Sequence, residues 1–184
     1  MTDYVVLVDE LDNEIGYEEK LKAHLEGKLH RAFSVFLFNE KKQLLLQRRA
    51  LSKYHSAGLW TNSCCSHPKP KEELLHAANR RLKEELLIHS HIHLDVVGSF
   101  IYNVKFENEL TENEFDYILI GFHSFIPEIN AEEALDYKWL TLEEIKEELK
   151  NNSANYTFWF KEIISQFCNQ IKLHIDESLS KRNI

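Results

Sequence analysis

Lys71-Glu72-Glu73-Leu74-Leu75-His76-Ala77-Ala78-Asn79-Arg80-Arg81-Leu82-Lys83-Glu84-Glu85-Leu86-Leu87-Ile88 follows Pro70 and reads as one amphipathic helix. Leu75, Ala78, Leu82 and Leu86 recur at the three- and four-residue spacing that gathers side chains on one helical face. Arg80, Arg81, Glu84 and Glu85 fall on other faces. Arg81 and Glu85 stand four apart, where opposite charges meet along a helix. The proline ahead is a helix-start signal. Taken alone, the segment is a surface helix laced with ion pairs.

Immediately before it lies Trp60-Thr61-Asn62-Ser63-Cys64-Cys65-Ser66-His67-Pro68. In extended backbone Cys65 and His67 point to the same side, because strand side chains alternate with period two. A thiol and a potential metal ligand then share one small volume. The plainer reading is a buried cysteine, behaving as a small apolar residue, beside a satisfied core histidine.

Outward from these two stretches the chain alternates short apolar runs with helical patterns. Tyr4–Val8 is a β-branched run ended by Asp12-Asn13, hence a strand and turn, and residues 17–30 are charged. Residues 31–38 form a buried strand that pairs as a hairpin with 43–48 across a turn at 39–42. A basic loop, Arg49-Ala50-Leu51-Ser52-Lys53, leaves the hairpin. Two further strands, 94–104 and 115–123, are joined by an acidic stretch at 107–114, and a short strand spans 137–140. Thr141 caps a helix over 141–150, with Glu144 three residues on completing a capping box. Residues 156–179 read as a long amphipathic helix with Phe160, Ile163, Ile164, Phe167 and Ile171 on one stripe. The expected fold is α/β (α+β), a mixed sheet packed between helices, with 1–184 as one domain.

Composition narrows the function. The net charge of −8 argues against nucleic acid, which wants a basic face, but leaves room for an anionic small molecule held by a few clustered cations. Three cysteines, two of them adjacent, make a poor disulfide framework and point to a reducing compartment. No signal-peptide pattern and no bilayer-length apolar run is present, so the expected location is cytoplasmic and no membrane partner is expected. Oligomeric state has no signature here.

Ten histidines lean toward metal. His24, His30 and His67 stand at the borders of predicted elements, and Glu112 and Glu114 are two apart, so in extended backbone their carboxylates face one way. Three imidazoles with two carboxylates suit Mn²⁺, Zn²⁺ or Mg²⁺. The same residues also read as scattered surface histidines and a solvated acidic loop.

The helix quoted first resembles the Nudix box: Glu72, Arg80, Leu82, Glu84, Glu85 and Ile88 match it. Ser66 stands where its first glycine belongs, Arg81 where a glutamate belongs, and Leu87 where its second glycine belongs. The resemblance implies carboxylates holding Mg²⁺ on a diphosphate, and the loss of one to Arg81 weakens the case for hydrolysis. Taken with Arg48-Arg49-Ala50-Leu51-Ser52-Lys53, Trp60-Thr61-Asn62-Ser63, Cys65-Ser66-His67-Pro68 and Glu112-Asn113-Glu114, the chain resembles the type 1 isopentenyl-diphosphate isomerases, Nudix-fold proteins that isomerise. The resemblance runs from about residue 3 to residue 159. It leaves a C-terminal helix at 160–184 with no assigned role, expected at the periphery.

That resemblance implies a ligand set of His24, His30, His67, Glu112 and Glu114 for Mn²⁺ or Zn²⁺. It implies Cys65 and Glu114 as the catalytic pair, with Tyr102 and Trp159 as aromatic residues of the site. Glu85 and the Cys65 carbonyl would hold Mg²⁺ on the substrate diphosphate, and Lys20, Arg49, Lys53 and Arg81 would receive that diphosphate. The chemistry is coherent. Moving a double bond along a five-carbon prenyl chain through a tertiary carbocation needs an acid, a base and a dry pocket. An indole face on the cation adds about 2 kcal/mol when desolvated. Trp159 also reads as core, between Phe158 and Phe160, and Arg49 and Lys53 as a solvated loop. A Nudix hydrolase of a nucleoside or other diphosphate is the alternative activity.

Overall fold

A computed structural model of the chain describes residues 3–124 and 127–182; residues 1, 2, 183 and 184 of the expected domain lie outside the described residues. Strands β1 (Tyr4–Val8) and β2 (Glu14–Glu19) form an antiparallel hairpin, and helix α1 (Lys20–Glu26) follows. Strand β3 (His30–Phe38) runs through the middle of the sheet and pairs with β4 (Gln43–Arg49) and β6 (Cys64–Ser66), while β5 (Trp60–Thr61) pairs with β4. Helix α2 (Leu74–Leu86) precedes a long antiparallel hairpin, β7 (Leu94–Lys105) and β8 (Thr111–Phe122). Strand β9 (Ala134–Thr141), helix α3 (Leu142–Asn152) and helix α4 (Phe158–Arg182) complete the order. Among the described residues all nine strands belong to one mixed sheet, in which β3 pairs antiparallel with β6 and parallel with β8.

Alternation along the strands builds two cores. Phe33, Val35 and Leu37 of β3, with Leu45 of β4, face α2 and pack on Ala77, Ala78, Leu82 and Leu86. Phe36 and Phe38, with Leu44 and Leu46, face the other way onto Phe160, Ile163, Ile164 and Ile171 of α4. The C-terminal helix is therefore not peripheral, because its apolar stripe is part of the core on that face of the sheet. Helix α3 carries the expected capping box, Thr141 with Glu144.

Four sequence expectations are corrected. The pattern over 71–88 shortens to Leu74–Leu86, because Lys71 takes a left-handed φ of 64° and the chain turns before the helix starts. Leu75 lies outside the buried stripe, which runs through Ala77 instead. The charged stretch 17–30 holds the end of β2 and all of α1, whose short length and mixed polarity hide its periodicity. The acidic stretch 107–114 is a loop only as far as Leu110; β8 begins at Thr111, so Glu112 and Glu114 are strand residues.

Helix α2 ends at Leu87, which caps it in the left-handed conformation at φ 52° with its N–H on the Leu82 carbonyl. This is the position where the resemblance places a glycine. A residue with a Cβ costs roughly 1 kcal/mol in that conformation, and Leu87 is 39% exposed, so little burial offsets it. Leu87→Gly should stabilise the protein by about 0.5–1 kcal/mol, raising the melting temperature by roughly 2 °C. A lower melting temperature would show that the leucine side chain outweighs the backbone cost.

Candidate active site

The site sits at one end of the sheet face that α4 covers. In β8 the inward positions are Glu112, Glu114, Asp116, Ile118 and Ile120, one row that changes from charged to apolar along its length. The parallel register of β3 with β8 sets His30 beside Glu114, and the antiparallel register of β7 with β8 sets Tyr102 beside the same residue. Strand β6 brings Cys65 opposite Ser34, and His67 follows at its end. Helix α1 delivers the remaining imidazole. Glu19 caps it by accepting the Leu21 and Lys22 amides, and Lys20 and His24 lie one turn apart on the same side. Gly27, at φ 62°, turns the chain back toward His30.

The three imidazoles converge through their Nε2 atoms. His24 Nδ1 donates to the Lys20 carbonyl at 2.6 Å and His30 Nδ1 to the Lys28 carbonyl at 2.8 Å, which leaves each Nε2 lone pair facing inward. His67 Nε2 lies 2.7 Å from Glu114 Oε1 and 3.2 Å from His30 Nε2. His24 Nε2 lies 3.4 Å from Glu112 Oε2, and both atoms are buried with no hydrogen-bond partner. One ligand atom from each of His24, His30, His67, Glu112 and Glu114 falls within 4.8 Å of all the others. Ligands on opposite sides of a divalent ion stand roughly 4.2 Å apart, twice a bond of about 2.1 Å. The residues fit a divalent cation in spacing, donor type and orientation.

Electrostatics prepare the same set. Burial, together with Lys20, His30 and His24, pushes His67 well below the usual imidazole range, toward the neutral form a metal needs. Burial raises Glu112 and Glu114, yet the imidazoles of His24 and His55 beside it lower Glu112, and the contacts at Glu114, His30 first, lower it further; both remain carboxylates. Burial favours a neutral His24, but its contact with Glu112 outweighs that and raises it.

Cys65 lies beside this cluster. Its Sγ lies 2.9 Å from Asn62 Oδ1 and receives Trp159 Nε1–H at 3.0 Å. Asn62 cannot turn away, because its amide nitrogen is spent on the Val35 and Cys64 carbonyls. Burial, reinforced by Asp116, pushes the Cys65 thiol up to about 12, so it carries its proton at neutral pH. Tyr102 donates to Glu114 Oε2 at 2.6 Å. Cys65, Tyr102, Glu114 and Trp159 all line one cavity of about 70 Å³, together with the cationic groups.

Four cations share the same cavity. Lys20, Arg49, Lys53 and Arg81 all line it. Arg49 stacks over the Trp159 ring at 5.3 Å, and its Nε, like that of Arg81, is buried without a partner. These are donors left for an anion. Arg81 forms the i,i+4 ion pair with Glu85 at 2.5 Å and also reaches Glu84 and Glu133, while Lys53 pairs with Glu133. Glu85 is buried, and its second oxygen accepts from Gln47 at 2.8 Å.

Sequence reasoning missed four residues of this site. Asp116 is buried two positions along from Glu114, takes a hydrogen bond from Ser34 at 2.8 Å, and is raised well above the carboxylate range by burial and by Glu114. The alternation that paired Glu112 with Glu114 extends to it and would have found it. Asn62 and Gln47 are buried partners of Cys65 and Glu85; Asn62 stands inside the Trp60-Thr61-Asn62-Ser63 segment, which gave it no role, and Gln47 has no sequence signal. His55, in the loop after β4, donates to Glu112 at 2.6 Å, again with nothing local to mark it.

Fold and site together define a NUDIX domain with a buried His/Glu cluster of metal-ligand spacing: the family model for the NUDIX domain matches residues 28–160. Solved structures share the fold, among them a Deinococcus radiodurans protein (TM-score 0.73, 21% identity, 89% of this chain and 98% of that one). A MutT protein from Methanosarcina mazei aligns with a TM-score of 0.63 and 22% identity, over 78% of this chain and 96% of that one. Sequence similarity is more specific. Isopentenyl-diphosphate Delta-isomerase 1 of Aromatoleum aromaticum is 49% identical over 90% of this chain and 93% of its own length. Isopentenyl-diphosphate Delta-isomerase 2 of Photorhabdus laumondii is also 49% identical, over 90% and 92%. The chain belongs to the isopentenyl-diphosphate Delta-isomerase family.

The cluster predicts its own assay. His67→Ala should lower the metal content of the purified protein by elemental analysis, and should shrink the rise in melting temperature that Mn²⁺ or Zn²⁺ produces. Unchanged stoichiometry would remove His67 from the ligand set.

Proposed function

We propose that the protein isomerises isopentenyl diphosphate to dimethylallyl diphosphate, with Cys65 and Glu114 as the proton-transferring pair. The observation that carries the reading is that Cys65 and Glu114 line one cavity together with Tyr102, Trp159 and the cations Lys20, Arg49, Lys53 and Arg81.

The diphosphate binds Lys20, Arg49, Lys53 and Arg81, and in doing so Arg49 and Lys53 exchange protein partners for phosphate oxygens. Glu85 and the Cys65 carbonyl would hold Mg²⁺ on the diphosphate. His24, His30, His67, Glu112 and Glu114 would hold Mn²⁺ or Zn²⁺, which supplies positive charge that keeps Glu114 ionised and aligned. The prenyl chain then lies between Cys65 and Glu114. In the forward direction Cys65 gives its thiol proton to C4 of the alkene, the C3–C4 π pair forms the new C–H bond, and C3 becomes a tertiary carbocation. Glu114 takes a proton from C2, whose C–H pair becomes the C2–C3 double bond. In reverse the two groups exchange roles. The indole of Trp159 faces the cation, worth about 2 kcal/mol in a desolvated pocket. Tyr102, bonded to the oxygen of Glu114 not shared with His67, sets how the carboxylate presents itself and where its proton rests.

Arg81 in place of a Nudix-box carboxylate, paired with Glu84 and Glu85, works against the hydrolytic alternative, which also has no use for Cys65. We place the enzyme in the cytoplasm, as one domain in which α4 closes the pocket. Among the described residues no helix is long and apolar enough to cross a membrane.

Incubation with isopentenyl diphosphate and Mg²⁺ should yield dimethylallyl diphosphate; released phosphate instead would establish a hydrolase. Cys65→Ala should lower kcat at least 10³-fold, about 4 kcal/mol of barrier, while leaving bound metal in place. Activity near wild type would take Cys65 out of the mechanism. Tyr102→Phe keeps the ring and loses the hydroxyl, and should reduce kcat by roughly 10- to 100-fold with little change in KM. An equal rise in KM alone would make Tyr102 a substrate-binding group only.

A further inference from the structure

We infer that His55 is a positioning residue that fixes Glu112 as a one-oxygen ligand of the metal cluster. The inference rests on the metal reading of the His/Glu set and adds a residue to it.

His55 lies in the loop between β4 and β5 and is 8% exposed. Its ring is clamped: it stacks on Phe106 with centroids 4.7 Å apart and planes 12° apart, and meets Trp159 edge-on at 6.0 Å. The clamp aims Nε2 at Glu112 Oε1, 2.6 Å away. The other ring nitrogen meets only the Ser56 hydroxyl, at 3.4 Å, so the short bond to Glu112 is the imidazole's strong polar contact. Its backbone carbonyl accepts from Arg49 at 3.3 Å, which ties the loop to one of the cavity's cations.

Glu112 is 4% exposed, and its two oxygens have different surroundings. Oε1 is occupied by His55. Oε2 faces His24 Nε2 at 3.4 Å and has no hydrogen bond of its own. A buried carboxylate oxygen without a donor is costly unless a cation takes it. By holding Oε1, His55 leaves Oε2 as the free ligand atom and stops the carboxylate from swinging to chelate with both oxygens or turning toward solvent. Partners of ligands act in this way generally, and their loss costs about 10- to 100-fold in metal affinity.

Two substitutions separate the bond from the packing. His55→Phe keeps an aromatic ring on Phe106 and removes the donor. His55→Gln loses the ring and keeps an N–H of similar reach. Metal-stripped proteins are titrated with Mn²⁺, the free ion being followed by electron paramagnetic resonance, and the melting temperature of each metal-free protein is recorded. The expected result is at least tenfold weaker Mn²⁺ binding in His55→Phe, with His55→Gln within about threefold of wild type. Should His55→Phe not fold, His55→Leu takes its place with the same expectation. Wild-type affinity in the donor-less variant, or equal losses in both variants, overturns the role while leaving the metal site standing. If the wild-type protein itself takes up no Mn²⁺, the metal reading fails and this inference falls with it.

Discussion

The parallel pairing of β3 with β8 is the constraint on which the molecule depends. Its register sets His30 beside Glu114 and Phe38 beside Phe122, so one alignment fixes both the ligand cluster and the apolar rows below it. A slip of one residue would turn Glu112, Glu114 and Asp116 toward α2 and put Tyr117 and Leu119 against α4. Side-chain alternation therefore makes fold and site a single choice. The hydrophobic ends of β3 and β8, Phe36, Phe38, Ile118 and Ile120, hold the register that their polar ends need for chemistry.

How much of this is readable from residue order follows from the range of each interaction. Helix α2, the capping box at Thr141 and the β3–β4 hairpin are local, and their periodicity and turn residues sufficed. The ligand cluster is not local. His30 and His67 are 37 residues apart in sequence, and His67 and Glu114 are 47 apart. No spacing rule joins them, so residue type left a metal set and scattered surface residues as two open readings, and the family resemblance favoured the first. His55, with neither periodicity nor a family motif to mark it, went unread. Helix α1 failed for the opposite reason. It is too short for its stripe to show, and its capping by Glu19 and Gly27 depends on neighbours outside the helix.

The acidic balance of the chain is resolved locally. Three carboxylates of one strand are buried in a row, an arrangement that repulsion and desolvation both oppose. They persist because each has a different compensation. Glu112 and Glu114 face imidazoles, whereas Asp116, lacking one, is pushed toward its neutral form and bonded to Ser34. The same cavity gathers Lys20, Arg49, Lys53 and Arg81, of which Arg81 is paired with Glu84, Glu85 and Glu133 and Lys53 with Glu133. A protein with net negative charge thus concentrates four cations on one cavity.

Helix α4 joins the core to this cavity. Its stripe of Phe160, Ile163, Ile164 and Ile171 is core by any measure, and burial of each such side chain is worth roughly 1.5–3 kcal/mol. That helix also begins with Trp159, whose indole N–H reaches the Cys65 sulfur and whose face carries Arg49. The energy that docks the helix is therefore the energy that holds an aromatic wall within bonding distance of the thiol. A pocket meant to shelter a carbocation needs a wall that does not open to water, and a side chain at the first turn of a deeply packed helix is held more firmly than one on a loop. His55, which is on a loop, is steadied instead by stacking on Phe106 and by contact with that same tryptophan, so the His/Glu cluster and the thiol share one aromatic support.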